Sequence, residues 1–337
     1  MAKNKVMTMK EAVSKYIKNG TFLSVAACGS GGPYNAIHEI IRQGRKNLKV
    51  IQPTSMFEID QLAGCGCVSE IIFSWSYRAT RGLRAFDRAV QEFDIKVKDY
   101  TNYTVAAMLA AGARGLPFYP AKMSIYYTDV YRKRIEDDMF KIIENPFNPG
   151  EKILLVPAVK PDVGIMHVQR ADIEGNAQFW AARGTMEDGL LSCKHIIISA
   201  EEIVEPEIIQ RSPNNTLIPG FRVDAVVHEP WGAHPSGLLG FYELDRYMIS
   251  LYTGSIVLTP ISFQTWVNDW ILSVNDRDEY VEKYAHTYGV RALEKLRARS
   301  YPSASVDLGA TFRLERELMG FTREEIDTDP DMKEFEV

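Results

Sequence analysis

Four runs in the second half of the chain restrict its fold more than any other feature: "KILLVPA" from Lys152, "VGIMHVQ" from Val163, "KHIIIS" from Lys194 and "RVDAVV" from Arg222. Each is apolar almost without interruption. A strand with one wet face alternates apolar and polar residues, whereas a strand covered by helices on both faces does not. The runs therefore predict a parallel sheet with helices on both faces. The first half fits the same plan. "TFLSVAA" from Thr21, "LKVIQP" from Leu48 and "VSEIIFS" from Val68 read as buried strands. Helical patterns separate them, and strands alternating with helices mean an open α/β fold.

The helices carry their own signals. Thr8 and Glu11 form a capping-box pattern, and Met9, Ala12, Val13, Tyr16 and Ile17 follow at helical spacing. "NAIHEIIRQG" follows the first strand. "TRGLRAFDRAVQEF" reads as a helix capped by Thr80, with Leu83, Phe86, Val90 and Phe93 on one face. "YTVAAMLAAGARG" is small enough along its length to pack closely on a sheet, and it stops at Gly115. Residues 1–260 are expected to form the α/β unit, with a helical excursion over about 121–150. A helical extension over 261–325 follows, with Tyr280, Val281, Tyr284, Leu293 and Leu296 facing its core, and 326–337 is an acidic tail.

The bulk properties exclude several classes. Net charge is −5, from 39 basic and 44 acidic residues, so there is no basic excess to hold a nucleic-acid backbone. No apolar run approaches the roughly 20 residues of a membrane helix. The N-terminal stretch has no apolar signal-peptide core, so the cytoplasm is the expected compartment. Four cysteines do not make a disulfide framework. Cys65 and Cys67 in "GCGC" are too closely spaced for a C-x-x-C metal knuckle, so no metal is expected.

Four loops past predicted strands are candidates for chemistry. In "CGSGGPY", Cys28, Gly29, Gly31 and Gly32 lie between a strand and a helix start, where backbone N–H groups reach an anion or a thioester carbonyl. The loop is neither the dinucleotide fingerprint nor a P-loop. In "SWSYRATRG", Ser74 and Ser76 offer hydroxyls, and Arg78 and Arg81 offer a fork for a carboxylate or phosphate. "ADIEGNAQF", with Asp172, Gly175 and Asn176, reads first as a structural turn between strands. In "HEPWGAHPSG", Gly232 and Ala233 allow close backbone approach, and His234 either donates to a ligand or holds the loop. No serine or cysteine beside it makes a nucleophile elbow.

Several longer blocks carry a family resemblance. "VDAVVHEPWGAHPSGLLGFYELD", "KNKVMTMKEAVSKYIKNG", "PYNAIHEIIRQG", "GLPFYP", "NPFNPGEKILLVPAVKPDV" and "IISAEEIVEPEI" run in order over about residues 5–285. They resemble the A subunits of family I CoA-transferases of the glutaconate type. The resemblance implies an open α/β fold shared with ribose-5-phosphate isomerases. It also implies a homologous B subunit that carries the catalytic glutamate, and a coenzyme A thioester as substrate rather than as a bound cofactor. It places Cys28, Gly29, Gly31, Ser74, Ser76, Arg78, Asn102, Gly232, Ala233, His234 and Ser236 around the substrate. The chain departs from the family after the first strand, where Ala26, Ala27 and Cys28 stand in place of two glycines and an aromatic. Related ring-cleaving hydrolases carry a glutamate near the position of Asn102, and an amide cannot act as that base. The alternatives are a thioester hydrolase or C–C bond-cleaving enzyme on the same scaffold, and a non-catalytic protein that binds CoA esters.

Overall fold

The computed structural model of the chain describes residues 4–27, 29–76, 84–134 and 139–298. Helix α1, Met9–Tyr16, opens on the expected reciprocal capping box between Thr8 and Glu11. Four strands follow: β1 Phe22–Val25, β2 Leu48–Ser55, β3 Val68–Ser76 and β4 Lys96–Asp99, each parallel to the next. They are joined by α2 Tyr34–Arg42, α3 Glu58–Gly64 and α4 Ala85–Glu92, and α5 Asn102–Ala113 leaves the end of β4. Helix α4 starts later than its pattern suggested. Arg84 donates its backbone N–H to Asp87, and buried Asp60 accepts the N–H of Phe86 at 2.8 Å, which sets the first turn at Ala85. The expected cap Thr80 and face residue Leu83 lie outside the described residues.

The chain then leaves the main sheet. β5 Phe118–Ala121, α6 Asp129–Arg134, β6 Lys141–Glu144 and β7 Lys152–Pro157 follow in order. β5 and β6 each pair antiparallel with β7, giving a separate three-stranded sheet. The expected helical excursion is thus only partly helical: Met123–Tyr127 and Asp129–Arg134 are helical, and β6 is a strand. "KILLVPA" also needs correcting, because it is β7 and not part of the parallel sheet. Leu154 and Val156 are buried while Ile153 and Leu155 are half-buried, the period-two burial of a one-sided strand. The outward residues are apolar too, so the sequence lacks the polar alternation that marks such a strand.

On its return the chain places β8, Val163–Asp172, beside β1 and parallel to it. β9 Ala177–Gln178 folds back antiparallel on β8 through the expected turn. Buried Asp172 makes that turn structural by accepting the N–H groups of Glu174 and Asn176 and the Asn176 side-chain amide. Then come α7 Met186–Leu191, β10 His195–Val204, α8 Pro206–Gln210, β11 Thr216–Ile218 and β12 Ala225–His228. β10 is parallel to β8, and β12 to β10. Among the described residues the main sheet has nine strands. From β1 it grows one way through β2, β3 and β4, and the other way through β8, β10 and β12. In an open sheet, such a reversal leaves a crevice outside the carboxyl ends of its two central strands.

Helices cover both faces. Adjacent Val50 and Ile51 on β2 point into different layers, one toward α2–α4 and the other toward α5 and the small sheet. The chain continues through α9 Arg246–Gly254, α10 Pro260–Val267, α11 Arg277–Tyr288 and α12 Val290–Leu296. Tyr280, Tyr284 and Leu296 are buried, and Val281 and Leu293 pack half-buried on the same core. That core also takes Phe263, Trp266 and Trp270 together with the strand residues. The helical segment and the sheet therefore form one hydrophobic body. Residues 299–337, with the rest of the extension and the acidic tail, lie outside the described residues.

Candidate functional site at the carboxyl edge of the sheet

Past β1 the chain passes buried Ala26 and Ala27 and enters the glycine-rich loop. Cys28 lies outside the described residues. Gly29 is exposed at φ +72, with open space where a Cβ would stand. Gly31 is a different case. Its φ is +69, and a Cβ there would stand 2.8 Å from the backbone oxygen of His167. Its N–H donates to the Gly237 carbonyl at 3.0 Å, which also accepts from Ser30 Oγ at 3.1 Å. The sequence suggested that these N–H groups reach a ligand, but the Gly31 N–H is spent on pinning the loop to residue 237.

Beneath that loop lies a carboxyl group that the sequence reading missed. Glu58 opens α3 and is buried. Its Oε2 accepts from Ser55 Oγ at 2.9 Å and from the Met56 N–H at 2.7 Å. A Cβ on Gly32 would stand 2.9 Å from its Oε1. Burial raises its pKa above the usual carboxylate value, and the hydrogen bonds from the backbone and Ser55 offset this only in part. The signal was present as "SMFE", a serine three residues before a glutamate just after a strand.

The turn after β12 is also structural. Trp231 sits at φ +62, a strained conformation for a bulky side chain. Its N–H donates to Glu201 Oε2 at 3.0 Å, and its carbonyl accepts from Arg277 Nε at 2.8 Å. A Cβ on Gly232 would fall 2.4 Å from the His167 ring. Ala233 donates its N–H to the Tyr242 hydroxyl at 3.0 Å. His234 is 1% exposed, with one ring nitrogen 2.9 Å from Asp245 Oδ2 and the other 3.0 Å from the Tyr280 hydroxyl. Its pKa is lowered by burial, against the pull of Asp245. Ser236 is buried, and its Oγ donates to the Gly237 carbonyl. Gly232, Ala233, His234 and Ser236, which the sequence placed around the substrate, are all buried and engaged within the protein. They brace the turn that holds the glycine loop.

His167 reveals a second array that the sequence hid. It faces Ser199 across β8 and β10, with its Nδ1 2.8 Å from Ser199 Oγ and its Nε2 2.7 Å from Glu201 Oε1. The spacing is that of a serine–histidine–carboxylate triad. Ser199 is 1% exposed and His167 0%, so no substrate reaches the hydroxyl. Burial acts to raise the Glu201 pKa, but His167, the Trp231 N–H and the Tyr242 hydroxyl outweigh it, and the carboxyl lies below its usual value. Glu201 is a buried anionic hub tying β8, β10 and the 231–242 segment together.

The open part of the edge lies along β2, β3 and α5. Here the structure brings together two of the expected residues, Ser74 and Asn102. Asn102 begins α5 and is exposed, and its Oδ1 accepts from Thr54 Oγ1 at 3.2 Å and from Ser74 Oγ. The Ser74 hydroxyl is shared with the Pro53 carbonyl. Thr54, at the end of β2, was not singled out from the sequence. Ser76 does not join them. It is buried, and its Oγ accepts from Arg84 Nη1 at 2.8 Å, which ties the end of β3 to the start of α4. Arg78 and Arg81 lie outside the described residues.

A glycine loop pinned past β1, a switch point beside it and a polar edge on β2, β3 and α5 describe an α/β protein built to take a ligand beyond its strands. Residues 6–229 match the family model described as Coenzyme A transferase, and the chain belongs to that family. The A-type chain of glutaconate CoA-transferase from Acidaminococcus fermentans is 34% identical over 298 residues, which cover 84% of this chain and 93% of that one. The A-type chain of 3-oxoadipate CoA-transferase from Pseudomonas knackmussii is 31% identical over 284 residues, covering 83% of this chain and 98% of its own. The crystal structure of the Acidaminococcus fermentans glutaconate enzyme superposes with a TM-score of 0.79 at 32% identity, over 90% of this chain and 98% of the matched one.

Proposed function

We propose that this chain is the A-type subunit of a two-subunit CoA-transferase, active only with a homologous B subunit. The enzyme moves CoA from an acyl-CoA to a small carboxylic acid. In this reading the B subunit carries the nucleophilic glutamate. Its carboxylate attacks the thioester carbonyl, giving a mixed anhydride and CoA thiolate. The thiolate attacks the glutamyl carbonyl and releases the first acid. The acceptor carboxylate then takes the glutamyl group's place on CoA through the same two steps in reverse, and the glutamate is regenerated. This chain supplies the walls and the selection of the acid.

One observation carries the division of labour. Glu58, the carboxyl group that closes on the glycine loop, is buried and held by Ser55 and the Met56 N–H, while the open edge presents hydroxyls and the Asn102 amide. A half-site of this kind needs a reactive carboxylate from elsewhere. The two relatives are named for glutaconate and 3-oxoadipate, both dicarboxylates, and we take a small dicarboxylic acid as this chain's substrate class. We place the reaction in the cytoplasm, where the free thiols of Cys65, Cys67 and Cys193 stay reduced. The test is CoA transfer by this chain alone and with the second polypeptide of its neighbouring reading frame. Transfer is expected only from the pair, and transfer by the chain alone overturns the reading. Release of free CoA with no acceptor present would favour the hydrolase instead. The amide of Asn102 speaks against that, because it cannot serve as a base.

A further inference from the structure

We infer that Thr54 and Ser74 form a clamp that turns the Asn102 carboxamide into a donor for the non-reacting carboxylate of the acid. The inference rests on the transferase reading above and adds a specificity determinant to it. The Asn102 Oδ1 accepts from both hydroxyls, one at the end of β2 and one near the end of β3. Thr54 pairs with Trp75, the residue after Ser74, so it is the shared Asn102 oxygen and not the strand register that brings the two hydroxyls together. With its oxygen taken from beneath, the amide directs its two N–H bonds outward from an exposed position, and Nδ2 has no protein partner among the described residues. An amide fixed this way offers donors without a charge of its own. It can hold a carboxylate, and it offers an approaching anion no second oxygen to repel it.

The position along the edge says which carboxylate. The clamp spans β2 and β3, and β1 separates it from the switch point between β1 and β8. At a strand spacing of about 4.8 Å, that is an offset of roughly 10 Å. A dicarboxylic acid with one end in the crevice reaches the clamp with the other. Asn102 is thus the binding residue, and Thr54 and Ser74 are positioning residues that act through it.

The experiment compares KM for glutarate with KM for butyrate as acceptors, using the assembled pair. Thr54→Val leaves the amide free to rotate and should raise KM for glutarate about tenfold, the loss of one hydrogen bond to a charged group. Butyrate, which has no second carboxylate, should show a clearly smaller shift in KM. Thr54→Ser, which keeps the hydroxyl, should restore the wild-type value. Asn102→Asp faces the carboxylate with a like charge and should raise KM for glutarate further. Equal shifts for both acids, or no shift in either variant, overturn the clamp. Glutarate titrated calorimetrically onto the chain without its partner separates this from the transfer reading. A binding heat in the wild type that is lost in Asn102→Asp supports the clamp even where the pair transfers no CoA, and equal heats overturn it.

Discussion

A histidine between glycine and alanine on one side and proline on the other reads in the sequence as a ligand donor or as a loop brace, and its partners in the structure are those of a brace. His234 has both ring nitrogens engaged inside the protein, and no open surface. Its position past a strand was legible; its partners, Asp245 and Tyr280, come from 11 and 46 residues further along the chain and were not. The same holds for His167, whose partners sit on the neighbouring strand. At Gly31, a positive φ and a 2.8 Å contact leave no room for a methyl group. Gly31→Ala should destabilise the fold by about 2 kcal/mol or more, read by urea denaturation. Glu229 sets a pH dependence. Burial raises its pKa to about 7 from 4.5, against the Asn35 amide, Arg277 and Arg42 and helped by Glu39. Between those values the folded chain keeps a proton that the unfolded chain has released. Stability should therefore be highest below pH 4.5 as far as this group goes, fall as pH rises through the window, and level off above 7. Glu229→Gln should flatten that part of the profile in denaturant titrations run at about pH 5 and about pH 7.5.

Among the elements, α1 was the most legible because its signals are local. Thr8 and Glu11 are three residues apart, and both halves of their capping box form. Thr8→Ala should cost about 1 kcal/mol, with little effect on ligand binding. The strands of the parallel sheet were read from their unbroken apolar runs, since burial on both faces leaves no alternation to find. That same property misplaced β7, whose outer residues Ile153 and Leu155 are apolar without being fully buried. The start of α4 was misread because long-range contacts set it: Asp60 holds Phe86 across 26 residues. Of the candidate site, Ser74 was found from its position past a strand, and Asn102 only through the family resemblance. Thr54 was missed because only the packing of α5 against β2 brings its hydroxyl to the amide, 48 residues further along the chain.

For the molecule as a whole, the transferase reading makes a covalent prediction. Acyl-CoA incubated with the assembled pair should leave a thioester that borohydride converts to an alcohol, and mass spectrometry should find that label on the partner polypeptide. A label on Glu58 would refute the half-site. Arg277 bears on a separate point. From the start of α11 it reaches back, fully buried, to the carbonyls of Trp231 and His234. The family match stops at residue 229, short of both the strained turn and the arginine that holds it. The relatives run on past that point, over 84% of this chain in sequence and 90% in structure, so the helical segment beyond the family model is shared with them. A fragment cut at 229 or 260 should lack a sharp thermal transition, and anyone trimming this protein to the span of the family model would discard the residues that keep the remainder in shape.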